Sequence, residues 1–277
     1  MSATPTLWRI LRPGSDEAPV IVNVPHAGTF LPSTIAAALT PAGLGVIDTD
    51  WHVDRLCDFA PVTGATLMVA THSRVVVDLN RDPSGASLYA GASNTEICPT
   101  TTFADEPIYR PGQVPAAAEV ARRVEQYWRP YHRELAAIIA RLKARHGYCI
   151  VLDAHSIASE VPRFFFGRLP DLNLGTADGR SCDPALAQSA FAVLSGADGF
   201  TSVHNGRFKG GYITRHCGQP NNGVHALQLE MAQCCYLDEK APRQFDVARA
   251  AGLQSVLRQL TKQLLAWRPA NGVDTTR

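Results

Sequence analysis

Two histidines and one glutamate in this chain sit where chemistry is a better explanation than packing. His26 follows the apolar run VIVNV within "VNVPHAG", and His155 follows CIVLD within "LDAHSIAS". Neutral imidazole is the commonest metal ligand. Two imidazoles and one carboxylate, with a fourth position open, is the pattern of hydrolytic zinc. Between the two histidines lies "DTDWHVD", which carries Asp48, Asp50, His52 and Asp54. Asp50, near a helix start, is the candidate third ligand. For either histidine taken alone, capping a strand or bonding backbone is the competing role.

Glu230 lies inside the apolar run "ALQLEM". A carboxyl there is costly unless paired or functional. Beside an activated water it could act as general base and then hand the proton to a leaving amine; an ion pair with an arginine is the alternative. Asn80 and Arg81 follow "VVVDL". A guanidinium grips a carboxylate through two parallel bonds, so this pair suits a substrate's terminal carboxylate and places Arg81 with Glu230 in the catalytic centre. A loop salt bridge to Asp82 or Asp105 is the ordinary reading of Arg81, and Asp78 could orient Arg81 or Arg74. In "FKGGYITRHCG", Arg215 is a candidate for a second substrate carboxylate, and Gly210 and Gly211 permit close backbone approach. His52, His72, His132 and His225 follow no strand and are expected on the surface or in packing.

These groups need a frame. Apolar, β-branched segments predict strands over 20–24, 66–70, 75–79, 149–153 and 226–231. Helical patterns cover 50–59, 115–145 (with a bend at Pro130), 183–194 and 246–267. The stretches 81–112, 164–179 and 203–223 are rich in Gly, Asn, Pro and Ser and read as irregular. Strands alternating with helices imply one α/β domain over 1–277, a three-layer, mostly parallel or mixed sheet flanked by helices. In such sheets ligands bind beyond the carboxyl ends of the strands, where the candidate residues fall.

Composition removes other classes. Of 277 residues, 45% are hydrophobic and 18% charged, which suits a large core and argues against disorder. A formal net charge of +1 gives no case for nucleic acid or an anionic membrane as partner. No apolar run of about 18 residues predicts a membrane span. "MSATPTLWRI" lacks the charged-then-apolar pattern of a leader, so the expected compartment is the cytoplasm. The seven cysteines are scattered without CxxC spacing, so reduced, mostly buried thiols are expected. Ser156 lacks the GxSxG setting of a hydrolase nucleophile, and "GRFKGG" lacks the context of a phosphate loop. Nothing in the sequence sets an oligomeric state.

Six segments in order, "VNVPHAGTFLP", "DTDWHVDRL", "SRVVVDLNRDP", "YWRPYHREL", "LDAHSIAS" and "GYITRHCGQPNNGVHALQLEMAQ", closely resemble the N-formylglutamate amidohydrolase (N-formylglutamate deformylase) family. The resemblance spans roughly residues 18 to 265 and extends to zinc carboxypeptidases and aspartoacylase. It implies a phosphorylase/hydrolase-like, zinc carboxypeptidase-like α/β fold. It also implies hydrolysis of N-formyl-L-glutamate to formate and L-glutamate in histidine degradation. A metal amidase or carboxypeptidase-like hydrolase acting on another N-acyl amino acid is the alternative. The implied cofactor is a divalent metal, zinc first, with cobalt, manganese or iron compatible with the same donors. The implied site order is met by His26, Asp50, Asn80 with Arg81, His155 and Glu230. The wider group takes its acid ligand three residues after the first histidine, and that position is Thr29 here. The acid must then come from "DTDWHVD": Asp50, with Asp54 as alternate. Arg81 and Arg215, with Lys209 in reserve, would hold a small dicarboxylate N-acyl amino acid.

Overall fold

The computed structural model describes residues 4–14, 16–86 and 95–270. Four parallel strands make the centre: β2 (Val20–Val24), β3 (Thr66–Ala70), β4 (Cys149–Ile157) and β7 (Val224–Ala232). Every residue of these strands is buried, which is why they appear in sequence as apolar runs rather than alternations. β1 (Trp8–Leu11) adds antiparallel to β3. β5 (Leu172–Gly175) adds antiparallel to β7, and β6 (Ser202–His204) pairs parallel with β5. The result is one mixed sheet in the order β1-β3-β2-β4-β7-β5-β6.

The three short helices α1 (Ser33–Ala36), α2 (Pro41–Gly45) and α3 (Val53–Leu56) precede β3. Then come α4 (Ala117–Arg123) and α5 (Arg129–His146), joined by one π turn over Val124–Trp128. α6 (Pro184–Ser195), α7 (Tyr212–Cys217) and α8 (Val247–Ala266) complete the set. α5 packs on β4, and α8 packs on α6 and α3. Asp183 and Asp246 are the N-caps of α6 and α8: their carboxylates accept from Ala185 N and Arg249 N. Among the described residues, no helix is long and apolar enough to cross a membrane.

Several sequence expectations change here. Segment 75–79 is no strand. Val76 N–H donates to Ser73 C=O at 2.9 Å in a turn, and β3, just before it, already has β1 and β2 on its two edges. Its valines are buried as packing, which periodicity alone does not separate from a strand. Helix 50–59 contracts to α3, because His52 takes a left-handed φ of 61°. Pro130 produces no break: the π turn before it widens the helix where proline offers no N–H and its ring needs room. The stretches 164–179 and 203–223 contain β5, β6 and α7. These elements are too short for a pattern to register.

Candidate active site

The site is built at the carboxyl ends of the central strands. His26 sits two residues after β2. His155 and Glu230 lie within β4 and β7, in direct register across the parallel pair, rather than beyond the strand ends. Asp50 comes from the turn before α3, where its N–H donates to His26 C=O at 3.1 Å. That turn is stapled by Gln233 Nε2 donating to Thr49 C=O (3.0 Å) and by Tyr236 OH donating to Trp51 C=O (2.7 Å).

His26, Asp50 and His155 converge, all buried, with donor atoms close enough for one ion. Asp50 Oδ2 lies 3.1 Å from His155 Nδ1 and 3.7 Å from His26 Nδ1. Each imidazole meets a carboxylate at its far nitrogen. His26 Nε2 is 2.8 Å from Asp78 Oδ1, and His155 Nε2 is 3.0 Å from Asp153 Oδ2. The second is a close ionic contact rather than an aligned hydrogen bond, since Asp153 Oδ2 has no hydrogen-bond partner and Asn80 Nδ2 also sits 3.1 Å from His155 Nε2. Asp78 favours the His26 tautomer with hydrogen on Nε2, which turns the His26 Nδ1 lone pair towards Asp50. Asp153 in turn accepts from Asn23 Nδ2 (2.8 Å), and Asn23 Oδ1 from Tyr131 OH (2.7 Å).

The electrostatics fit a cation. Four buried carboxyls, Asp50, Asp78, Asp153 and Glu230, lie in this cluster, and the buried guanidinium of Arg74 pairs with Asp78 at 2.6 Å and reaches Asp50 at 3.5 Å. Burial would raise Asp50, but the hydrogen bond to His155 and the nearness of His26 hold it below the usual carboxylate range. Asp78 behaves alike, with Arg74 outweighing burial. Burial would lower His155, yet Asp153 and Asp50 push it well above the usual imidazole value. Glu230 is pushed up to about 8 by burial, against the pull of His155. His26 Nδ1 is a buried donor atom with no hydrogen-bond partner. A divalent ion between the three side chains would give that lone pair a partner and offset the surplus of negative charge.

The cavity above these groups is lined by His26, Asp50, His155 and Glu230, by Asn80, Arg74, Arg81, Arg207 and Gln228, and by the apolar Phe103, Ile157, Phe164 and Phe208. Gln228 Nε2 donates to Glu230 Oε2 at 3.1 Å, while Gln228 Oε1 accepts from Gly211 N at 2.7 Å. Asn80 Oδ1 accepts from Ile213 N at 2.8 Å. Gly211 must stay small, because a Cβ there would lie 2.3 Å from Asn80 Nδ2. Gly211→Ala should therefore push Asn80 aside and cost about 1–3 kcal/mol, read as a lower urea midpoint together with weaker substrate turnover.

The expected grips separate. Arg81 lines the cavity, its Nε and Nη2 donating to Thr95 O (3.2 Å) and Oγ1 (3.0 Å). Arg215 and Lys209 do not line it. Arg215 Nε donates to Gly210 C=O, just ahead of α7, at 2.9 Å, and Lys209 pairs with Asp178 at 3.0 Å. Asp54, the alternate ligand, pairs with Arg9 at 2.8 Å away from the cluster. Sequence reading missed Arg207, Arg74 and Gln228. Only Gln228, two residues before Glu230 on one strand and so on the same face, left a usable signal. Ser156 Oγ is engaged by Tyr236 OH at 2.7 Å, in keeping with a structural role.

A buried His/Asp/His donor set, a carboxyl raised to about 8 and arginines over an apolar-walled cavity define a hydrolase-type site for an anionic substrate. The comparisons agree with that class. The N-formylglutamate amidohydrolase family profile matches residues 18–237. The chain is 50% identical over 249 residues to an N-formylglutamate deformylase of Pseudomonas aeruginosa and 45% identical to one of Pseudomonas putida, covering in each case 90% of this chain and 93% of the relative. The crystal structure of N-formylglutamate amidohydrolase from Ralstonia eutropha JMP134 superposes with a TM-score of 0.76 at 29% identity, over 93% of this chain and 96% of that one. An Agrobacterium tumefaciens gene product shares the fold at 20% identity, TM-score 0.69, over 94% and 96%. This chain belongs to the N-formylglutamate amidohydrolase family.

Proposed function

We propose that this chain is an N-formylglutamate deformylase, hydrolysing N-formyl-L-glutamate to formate and L-glutamate with one divalent metal, zinc first among candidates, held by His26 Nδ1, Asp50 Oδ2 and His155 Nδ1. The carrying observation is the convergence of those three atoms beside buried Glu230 in a cavity that also holds Arg81 and Arg207. A bound divalent cation supplies Lewis acidity towards the formyl carbonyl and makes water more acidic. Glu230 is the general base. Gln228 fixes its Oε2, leaving Oε1 to take a proton from water and return it to the amide nitrogen as that nitrogen leaves. A value near 8 without the ion is one that a neighbouring cation would draw down towards neutrality, where a general base works best. Asn80 and Arg81 take one substrate carboxylate. Arg207, rather than Arg215 or Lys209, takes the other. Phe103, Phe164 and Phe208 narrow the cavity around a small acyl group and displace water.

The test is formate release from N-formyl-L-glutamate, set against N-formyl-L-aspartate and N-acetyl-L-glutamate, before and after chelation and readdition of zinc, cobalt or manganese. No formate from N-formyl-L-glutamate at any metal loading would overturn the reading. A preferred different acyl group or chain length would move the assignment to another N-acyl amino acid. Arg207→Ala should raise KM for N-formyl-L-glutamate about 10- to 100-fold, the loss of charge-assisted bonds worth about 1.5–3 kcal/mol. It should barely change KM for N-formyl-L-norvaline, which lacks the side-chain carboxylate. Equal changes for both substrates would remove Arg207 from that role.

A further inference from the structure

The segment "YWRPYHREL" contributes nothing to the cavity wall, yet its residues fasten the strip of backbone that carries Asn80 and Arg81. Three consecutive carbonyls of that strip each accept a hydrogen bond. Leu79 C=O accepts from His132 Nε2 at 2.8 Å, Asn80 C=O from Tyr212 N at 3.4 Å, and Arg81 C=O from the Trp128 indole Nε1–H at 3.1 Å. The donors are locked to one another. The Trp128 and His132 rings stack at 3.8 Å and 26°, and Tyr212 stands edge-on to both at 5.3 and 5.4 Å. Trp128 closes the π turn at the head of α5. An extra residue in that turn shifts the helix phase, and π turns concentrate at functional sites. Burial lowers His132 to about 4, so the ring stays neutral and donates through Nε2 at physiological pH.

We propose that Trp128 and His132 are positioning residues, a clamp that aims Arg81 and Asn80 at the substrate carboxylate and so sets affinity without touching substrate. The inference rests on the deformylase reading of the cavity. Side chains on a fixed backbone lose less freedom on gripping a ligand, so loosening the backbone weakens binding. The chemical step depends on Glu230 and the His/Asp/His cluster, which hang on β2, β4, β7 and the Asp50 turn, so it should be spared.

Trp128→Phe keeps an aromatic ring in the stack and deletes the donor. It should raise KM for N-formyl-L-glutamate, and Ki for the product L-glutamate, about fivefold, with kcat within twofold of wild type, as expected for one lost hydrogen bond. His132→Phe should show the same pattern and carries the test if Trp128→Phe does not fold. In an Arg81→Ala background either change should add clearly less than fivefold, because part of the clamp's effect runs through Arg81. An unchanged KM and Ki, a fall in kcat instead, or a full further loss in the Arg81→Ala background would overturn the clamp. Wild-type enzyme that releases no formate from N-formyl-L-glutamate would instead overturn the deformylase reading, so the two failures are distinguishable.

Discussion

Glu230→Gln should fold, bind metal at the wild-type stoichiometry and lose turnover by about 10²- to 10⁴-fold, the usual worth of a positioned general base. The substitution is close to isosteric, and the new amide can still meet Gln228. It also replaces a buried carboxyl whose protonation burial favours, at about 8, with a neutral group, so stability should hold or rise. What it removes is the lone pair that takes a proton. Formate release and metal analysis on the same preparation decide it: activity within a few-fold of wild type would exclude Glu230 as the base.

His26→Ala has the second large effect, through a different route. It deletes one of three donors, strands Asp50 without one imidazole, and takes from Asp78 the partner at 2.8 Å. Bound metal should fall far below one equivalent per chain, with formate release at background, whereas Glu230→Gln should keep its metal. Asp54→Ala is the matched control. Asp54 pairs with Arg9 on the surface, so metal content and activity should stay at wild-type levels. If His26→Ala kept its metal, or Asp54→Ala lost it, the donor set would be wrong.

The departure at Thr29 shows how far sequence reaches. A ligand three residues after the first histidine is absent, so the acid had to be sought elsewhere, and the segment "DTDWHVD" offered several. Spacing could not choose between Asp50 and Asp54. The fold does, because the turn before α3 bonds Asp50 N to His26 C=O and so brings its carboxylate to the two imidazoles, while Asp54 faces Arg9. The grips tell the same story. Arg215 and Lys209 had the right charge in a Gly-rich segment, but α7 turns Arg215 to its own backbone and Asp178 takes Lys209. Arg207, in the same segment, lines the cavity instead.

By itself the sequence determined the buried central strands, the helices α6 and α8, the family, and the identity of His26, His155, Asn80, Arg81 and Glu230 as residues out of place in an apolar frame. These are local signals: burial leaves apolar runs, helices leave an apolar period near 3.6, and a carboxyl or imidazole inside a core strand is costly enough to stand out. Only the tertiary structure decided that 75–79 is a turn, which acid joins the two imidazoles, which arginines reach the cavity, and that Trp128 and His132 hold the Asn80–Arg81 backbone. Those outcomes depend on contacts between segments tens to more than a hundred residues apart, where the direction of a side chain is set by the strand, turn or helix it ends up beside rather than by its neighbours in sequence.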